Sequence, residues 1–476
     1  MRKILLFVAF STSVFVGLGQ EKWDLKRAVE FALANNISVK QADVQARLAA
    51  VQYKQTKLAQ IPSLNFSGNV SYLTGRNQDP TNFELITQGF VNNGYNLQSS
   101  VTLFNFFNRQ ATIAANQFET EASKVNVDRV RNDISLNVAN AYLQVLLSRE
   151  QVNISKVQVQ QTTAQLSNTR KLVNAGSLPE LEAANLEAQL ARDSSALVSA
   201  DATAITNLLA LKALMNVDMA APFDVTTPPI DQIPLVSLAE LQPEVVYNIA
   251  LDKQPLQQSN ALRIKSNEQY VRAQRATLFP TISAFGQLGS NFNNTGMRVI
   301  GSTPINPVIG ITDVNGTSYN VYYPTPTAVP LTGKNPYFNQ LNQNFSQSIG
   351  LSLNIPIFNG WQQKMGYHRT KLNLETFKLQ AEQDNVTLKQ NIYQAYTGVV
   401  AALQKFNANH ITVVNTQKVY EFAQKRFEQG MLNTFDLITA QNNLTRAKFD
   451  EVLTHYDYVF RMKVLEFYRG EGIKLE

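Results

Sequence analysis

Apolar side chains recur every seven residues along two very long segments of the chain. One series runs from Val138 to Val173 and the other from Ile392 to Phe427, each beside a parallel series of mostly small residues. Seven-residue spacing is typical of helices that pack side by side with knobs in holes. Residues 95–175 contain neither glycine nor proline, so the first series predicts one helix from about residue 106 to 174. At 1.5 Å per residue this helix is roughly 100 Å long, enough to cross a wide gap.

A two-residue alternation marks short segments beside the predicted long helices. Leu64, Phe66 and Val70 alternate with asparagine and serine, and residues 100–103 and 345–355 show the same period, which is typical of strands with one apolar face. The opposite face carries Ser, Asn, Gln, Thr and Gly, which suits the polar lumen of a membrane barrel behind a lipid-facing band. A half-buried soluble sheet is the alternative. Four strands cannot close a channel, so a barrel needs strands from several subunits.

The chain contains the same unit twice. Ile61-Pro62-Ser63-Leu64 corresponds to Phe279-Pro280-Thr281-Ile282 at an offset of 218 residues, whereas Gly176 corresponds to Gly430 at an offset of 254. The second copy therefore has 36 additional residues. They are placed in an Asn-, Pro-, Gly- and Tyr-rich segment from about 290 to 344, which is predicted to be a long loop facing the outside of the cell.

Each copy reads as a broken helix, a strand, a loop, a strand, a very long helix, a turn and another long helix. The broken helices are predicted at about 22–60 and 241–278, interrupted near Asn35-Asn36 and Gln254-Pro255, and the first loop at about 74–94. The predicted domains are a signal peptide at 1–19, a first repeat at 20–215, a proline-rich equatorial linker at 216–243 and a second repeat at 244–476.

The signal peptide is predicted from the start of the chain. Arg2 and Lys3 precede an apolar run from Ile4 to Leu18, and small residues favour cleavage near Gln20. A membrane anchor is the alternative, but the run is shorter than the ~20 residues that a helical span needs. After it, no apolar stretch of about 18 residues is expected, so any membrane contact is predicted to use strands.

Charge and reactive side chains exclude several functions. Without Arg2 and Lys3, 40 Lys and Arg face 36 Asp and Glu, about +4, which predicts no nucleic-acid partner. There is no cysteine, so no disulfide or thiolate site. Folding the second hairpin brings His410 and His455 to similar heights, but two imidazoles are too few for a metal. We predict no metal, no cofactor and no enzyme, since no catalytic motif stands out.

Several motifs together resemble the TolC-like outer-membrane efflux protein family, over essentially the whole chain after the signal. They are the two Pro-containing strand starts at 61–64 and 279–282, Ile355-Pro356-Ile357-Phe358-Asn359-Gly360, Ala141-Tyr142, Ala395-Tyr396 and the turn segments 170–182 and 426–436. The resemblance implies a mainly α fold with a membrane β-barrel. In it, a homotrimer forms a long α-helical barrel across the periplasm and shares a 12-stranded barrel, four strands per subunit, in outer-membrane lipid.

The same resemblance implies partners and site residues. A periplasmic adaptor protein and an inner-membrane pump dock at the hairpin tips, so the chain is a passive gated duct. The implied adaptor-docking residues are Gly176, Ser177, Leu178, Gly430, Met431 and Leu432. The implied pore-entrance residues are Asp436, Glu182 and Phe427.

These site residues also have simpler interpretations. Both glycines are suited to ending a helix, and Asp436 is suited to the positive end of a helix dipole. Phe427 stands where the family has a tyrosine, so its closing hydrogen bond is not expected here. Leu432 stands at a basic gate position and Thr439 at a second acidic position, so neither a salt-bridge lock nor a second acidic ring is expected. Copy one has Thr102 where copy two has Pro356, so that strand exit is expected to bend differently.

The function predicted from these patterns is the outer-membrane channel of a tripartite export system, located in the outer membrane and extending into the periplasm. A structural or adhesive coiled-coil protein of the envelope is the main alternative, and a periplasmic helical adaptor is another. The duct accounts for the strands, the signal peptide, the heptads and the duplication together. A coiled-coil rod accounts only for the heptads.

Overall fold

The computed structural model describes residues 22–78, 84–87, 89–227 and 233–470; the predicted signal peptide at 1–19 lies outside them. The described residues form two compact units, and each contains segments of both copies. A helical unit comprises the described parts of Met1–Val51, Asn116–Asn267 and Leu372–Glu476, and a strand-containing unit comprises those of Gln52–Ala115 and Glu268–Lys371.

The helices repeat with the two offsets seen in the sequence, which confirms the duplication. The helices of the first copy are α1 (Leu25–Asn35), α2 (Ile37–Leu58), α3 (Asn108–Asn174) and α4 (Glu180–Met215). Those of the second copy are α5 (Pro243–Lys253), α6 (Pro255–Ala276), α8 (Gln362–Glu428) and α9 (Thr434–Tyr468), with the short α7 (Tyr337–Gln343) before α8. Both α3 and α8 have 67 residues, so each is about 100 Å long at 1.5 Å per residue.

The breaks between α1 and α2 and between α5 and α6 have different local causes but the same long-range contact. Pro255 disfavours a helical backbone at Gln254, whereas the Asn36 side chain accepts a hydrogen bond from Ser38 N at 2.8 Å, an Asn cap at the start of α2. The side-chain amides of Asn36 and Gln254 each donate to a backbone carbonyl at the end of the last helix of the same copy, α4 or α9. Asn36 Nδ2 lies 2.8 Å from Leu214 O, and Gln254 Nε2 lies 3.1 Å from Tyr468 O.

The apolar core of the helical unit uses the predicted heptad positions. One cluster packs Val138, Tyr142 and Val145 of α3 against α1 and the end of α4, and another packs Ile392 and Val399 of α8 against α5 and α9. Nearer the turns the pattern changes. There the small-residue series of α3 is buried, with Thr162 and Thr169 each 1% exposed. The small residues of α8 from residue 409, and the large residues from residue 159 in α3 and from residue 406 in α8, are only half-buried in the single chain.

Helix α4 contradicts the expectation that no apolar stretch of about 18 residues follows the signal. By length and composition alone it is apolar enough to cross a membrane. The reason is its sequence, which supplies Ala and Leu to the heptad seams and few charges after Asp201. In the fold, the end of this helix packs in the helical core, where Leu211 and Met215 are fully buried.

Buried lysines fix the linker between the two copies. Lys212 Nζ donates to Met219 O at 2.7 Å and to Ala221 O at 2.6 Å. Beyond residues 228–232, Lys463 Nζ lies 2.6 Å from Pro234 O and 2.8 Å from Glu466 Oε2, and the Glu466 carboxylate accepts from Val236 N at 3.0 Å. The described parts of the linker are therefore held at each end by a cation from the preceding or the final helix.

The strand-containing unit has a four-stranded antiparallel sheet, which confirms the predicted number of sheet strands. Its strands, in sheet order, are β1 (Ser63–Leu73), β4 (Phe90–Phe104), β5 (Thr281–Asn293) and β10 (Ser346–Asn354). Pro62 and Pro280 immediately precede β1 and β5, as predicted from the inability of proline to continue a helix. The register places Leu64, Leu97, Leu288 and the apolar residues of β10 on one face and most of the Ser, Asn and Thr positions on the other.

The ends of β4 and β10 differ, as predicted from the presence of Thr102 in the first copy where the second copy has Pro356. Strand β4 continues to Phe104 with an irregularity between Thr102 and Phe104. Strand β10 ends at Asn354, before Pro356, whose missing N–H cannot extend the ladder. Copy one therefore has the longer strand.

The prediction of long loops at about 74–94 and 290–344 is wrong in its details. The first contains β2 (Arg76–Gln78) and β3 (Leu85–Thr87), and β4 already begins at Phe90. The second contains α7 and a nested pair of two-stranded ribbons, which we call the arm (residues 297–334). The arm strands are β6 (Met297–Ile305), β7 (Val308–Val314), β8 (Thr317–Tyr322) and β9 (Thr327–Lys334). Two-stranded ribbons have only edge strands, which tolerate Pro304 and Pro330.

Candidate functional site at the hairpin turns

Both hairpin turns begin with the same backbone device. Gly176 and Gly430 have positive φ values of 75° and 70°, and each donates to the carbonyl three residues earlier at 2.9 Å. The backbone N–H of the next residue, Ser177 or Met431, donates to the carbonyl oxygen five residues earlier at 2.9 Å. This is the Schellman arrangement that ends helices. The simple prediction of helix-stopping glycines is confirmed, and a Cβ at either position would meet no heavy atom within 4 Å.

The predicted docking residues lie at exposed turns with partly covered flanks. Ser177 is exposed and Leu178 is half-buried. In the second turn Met431 is 59% exposed and Leu432 is half-buried. The structure thus presents two short apolar turns, one from each copy, that an external partner could reach.

The two predicted acids occupy equivalent helix starts but make different contacts. Asp436 is exposed in the first turn of α9, and its backbone N–H donates to the side chain of Asn433, the N-cap, at 2.8 Å. Glu182, in the first turn of α4, is half-buried, and its Oε2 accepts from Thr434 N at 3.2 Å. Glu182 therefore caps the helix of the other hairpin, whereas the Asp436 carboxylate is free to face outward.

Phe427 is half-buried one turn before Gly430, and its side chain offers no hydroxyl. One heptad earlier, the hydroxyl of Tyr420 lies near the side chain of Gln165 in the first hairpin. Burial raises the pKa of the Tyr420 hydroxyl, and the neighbouring Gln165 side chain partly opposes the rise. The side chain of Phe427 therefore makes no polar contact with the first hairpin.

Three contacts near the turns were not predicted from the sequence. They are the Glu182–Thr434 hydrogen bond, the approach of the Tyr420 hydroxyl to Gln165 and the ion pair of Arg170 with Glu187. Tyr420 could have been suspected, because it is a polar aromatic residue in an otherwise apolar heptad series. The other two join residues with no shared local pattern. In copy two, the positions of Arg170 and Glu187 are Gln424 and Gln441, so that hairpin has no equivalent ion pair.

The histidines make ordinary packing contacts. His410 Nδ1 lies 2.6 Å from Glu451 Oε1, and the His455 ring stacks on Phe406 with centroids 4.4 Å apart. Across the described ranges, no group of three or more His, Cys, Asp or Glu side chains is arranged to hold a metal ion.

A duplicated chain that joins a sheet with one exposed apolar face to two 67-residue helices defines a channel-type protein of the bacterial outer membrane. The sequence model of the outer membrane efflux protein family matches residues 28–217 and 246–468. The chain belongs to this family, whose members are passive outer-membrane channels. The resemblance inferred from the motifs is therefore confirmed, as is the location in the outer membrane with extension into the periplasm.

Individual relatives are distant in sequence but similar in length and fold. Outer membrane protein TolC of Escherichia coli is 20% identical over 462 residues, which covers 96% of this chain and 84% of TolC. The Campylobacter jejuni CmeC outer membrane channel superposes with a TM-score of 0.71 at 17% identity, covering 95% of this chain and 86% of CmeC. The outer membrane protein VceC of Vibrio cholerae superposes with a TM-score of 0.71 at 14% identity, covering 94% of this chain and 97% of VceC.

Proposed function

We propose that three copies of this chain form a passive export duct, in which a periplasmic adaptor and an inner-membrane pump dock at the hairpin turns. The observation that carries the proposal is that the four-stranded sheet of this outer-membrane protein is open at both edges. Among the described strands, β1 and β10 each pair on one side only. Unpaired strand edges are not tolerated in lipid, where backbone groups have no water to bind.

If three subunits close into one barrel, the backbone groups at the free edges of β1 and β10 gain hydrogen-bond partners. The strands alternate in direction from β1 to β10, so β10 of one subunit can pair antiparallel with β1 of the next. Three sheets then give 12 strands, within the range of membrane barrels. The apolar face is suited to contact lipid, since the exposed fractions of Val70, Ile349 and Leu351 are 72%, 91% and 71%. The face of Ser, Asn and Thr would line the lumen.

The helical unit also supports assembly. The large heptad residues near the turns, among them Val159, Leu166, Val413 and Phe427, are only half-buried in one subunit. Apolar seams of coiled-coil helices are normally covered by a neighbouring helix. Neighbouring subunits in a ring can cover them and build a tube. A structural coiled-coil protein without transport would also bury these seams, but it gives no role to a sheet with one apolar and one polar face.

Electron microscopy of the detergent-extracted protein tests the duct directly. The expected particle is a threefold tube with a stalk of roughly 100 Å, the length of α3 and α8. A monomeric rod would contradict the proposal and favour the structural coiled coil.

Asp436 is expected to form a ring of three carboxylates at the pore entrance. A ring of acids favours cations, so Asp436→Asn should lower the cation-to-anion permeability ratio measured from single-channel reversal potentials in a salt gradient. The N-cap at Asn433 does not use this carboxylate, so the helix start should be retained.

The control is Glu375→Gln, which removes one exposed carboxylate of α8 far from the turn. We expect no change in the permeability ratio for this variant. Equal ratios for Asp436→Asn and the unmodified protein would remove Asp436 from the pore.

Met431 is expected to contact the adaptor. Substitution of Gly430 itself is a poor test, because any side chain there is strained at a φ of 70°. Met431→Asp avoids this strain and should reduce export in cells to the level of a deletion strain, because a charge would be left unpaired in an apolar contact. The trimer content of the outer membrane should not change.

Met219→Asp is the matched control, since Met219 is a linker residue with a similar exposed fraction of 49%. It should export normally. Normal export by Met431→Asp would show that this turn is not a docking surface.

A further inference from the structure

Helix α7 lies on the apolar face of the sheet, at the end of the strands away from Pro62 and Pro280. The register places Asn93, Tyr95 and Phe292 on the same face as Leu97 and Leu288. Tyr337, the first residue of α7, brings its hydroxyl to 2.8 Å from that of Tyr95 and 2.9 Å from Asn93 Nδ2. Its ring centroid is 4.7 Å from that of Phe292. The helix therefore covers polar residues at this end of a largely apolar face.

The attachment of α7 to β5 is specific and multiple. Gln340 is 4% exposed, and its Oε1 accepts from Asn293 N at 3.0 Å while its Nε2 donates to Asn293 O at 2.9 Å. Ser290 Oγ donates to Leu341 O at 2.6 Å. Gly296 leaves room for this amide, since a Cβ there would lie 2.8 Å from Gln340 Nε2. These bonds occupy the part of β5 beyond its pairing with Ser346, the first residue of β10.

One large apolar side chain of this fixed helix faces outward. Phe338 is 81% exposed, beside Tyr337 at 5.3 Å between ring centroids. The sequence of α7, YFNQLNQ, contains no charge. Aromatic rings are enriched at the boundary between lipid and water, where membrane barrels carry girdles of them.

The position of α7 along the sheet matches that boundary. From Thr281 to Phe292 there are 11 steps of the strand, or about 36 Å at 3.3 Å per residue. A strand tilt of about 40° reduces this to roughly 28 Å across the membrane, close to the ~25 Å apolar band of membrane barrels. At the near end of the same strands stand Phe279, Phe358 and Trp361, all exposed. Aromatic residues thus lie about one membrane thickness apart.

We propose that α7 is an interfacial anchor, with Phe338 inserted at the headgroup level of the outer leaflet. The proposal rests on the lipid-facing role given above to the apolar face, because α7 continues that face at its outer margin. The lipid bilayer is the occupant for which the surface is suited. The rigid attachment through Gln340 and Tyr337 fixes the depth of the barrel relative to the outer surface.

The absence of cysteine from the chain makes the test direct. Single-cysteine variants Phe338→Cys, Ile349→Cys and Tyr319→Cys are labelled with a nitroxide in the intact protein, reconstituted in phospholipid vesicles. All three native side chains are more than half exposed, so the substitutions remove little buried packing. Collision of the label with oxygen, which partitions into lipid, is compared with collision with a water-soluble nickel chelate.

Ile349 is the reference in the middle of the apolar face, and Tyr319 of β8 is the reference in the arm. We expect the oxygen-to-nickel accessibility ratio to be highest at 349, lowest at 319 and intermediate at 338. A ratio at 338 equal to that at 319 would place α7 in water and overturn the anchor alone. A label at 338 shielded from both probes would mean a protein contact and would also overturn it. A nickel-accessible label at 349 would overturn the lipid-facing sheet, and the anchor with it.

Discussion

Glu466→Ala should lower the free energy of unfolding of the helical unit by about 3–5 kcal/mol, the usual cost of breaking a buried ion pair. The side chains of Lys463 and Glu466 are 4% and 6% exposed and lie 2.8 Å apart. The substitution leaves the Lys463 ammonium buried with Pro234 O as its described acceptor. It also removes the acceptor for Val236 N. The shift of the denaturation midpoint of the detergent-solubilised protein, monitored by helical circular dichroism, measures the effect.

The double variant Lys463→Met/Glu466→Leu is the control. It removes both charges and keeps side-chain volume, and exchanges of this kind are often neutral or stabilising. We therefore expect its midpoint to lie close to that of the unmodified protein. A single variant as stable as the double variant would mean that the pair is hydrated and does not hold the linker.

The second large effect is expected at Tyr142. Its side chain is 1% exposed, and its hydroxyl lies 2.6 Å from Thr226 O and 3.0 Å from Trp23 O. Tyr142→Phe removes the donor for these partly buried carbonyls, at a cost of about 1–3 kcal/mol. The same hydroxyl joins the start of the described chain to the linker, so protease cleavage near these segments should increase.

The duplication supplies a matched control for this substitution. Tyr396 is the equivalent residue of the second copy, but its hydroxyl is in an exposed hydrogen bond of 3.2 Å with Gln242. Tyr396→Phe should therefore change stability by only a few tenths of a kcal/mol, as is usual at exposed sites. Equal losses for the two variants would contradict the assignment of Tyr142 as the structural tyrosine.

The long helices could be predicted from sequence because their signals are local and repeated. Glycine and proline are absent over the whole span from residue 95 to 175, and Gly176 ends it, so the predicted helix differs from α3 by two residues at its start. The second copy then fixes α8 by its offset alone. In both cases the helix runs as long as its backbone hydrogen bonds are uninterrupted, and it ends where a glycine adopts a positive φ.

The arm and the turn contacts could not be predicted in the same way. The prolines of the segment 290–344 indicate a loop, but β6 and β9 accept them because each has a free edge. Glu182 meets Thr434 across 252 residues of sequence, and nothing in either segment indicates this pairing. The predicted roles of Asp436, Phe427 and the docking residues concern surfaces outside one subunit, so they stay predictions for the assembled protein.

The arm has a consequence for how this protein can diverge. Met297 pairs with Lys334, so the chain enters and leaves the arm at the same point. The inner ribbon closes at Asn315-Gly316, both with positive φ. Insertions at this two-residue hairpin turn, or exchange of the whole ribbon, should leave the strand register below it unchanged. We therefore expect the arm to vary between relatives while the four-stranded sheet stays the same, and the turn is a natural place for an inserted epitope.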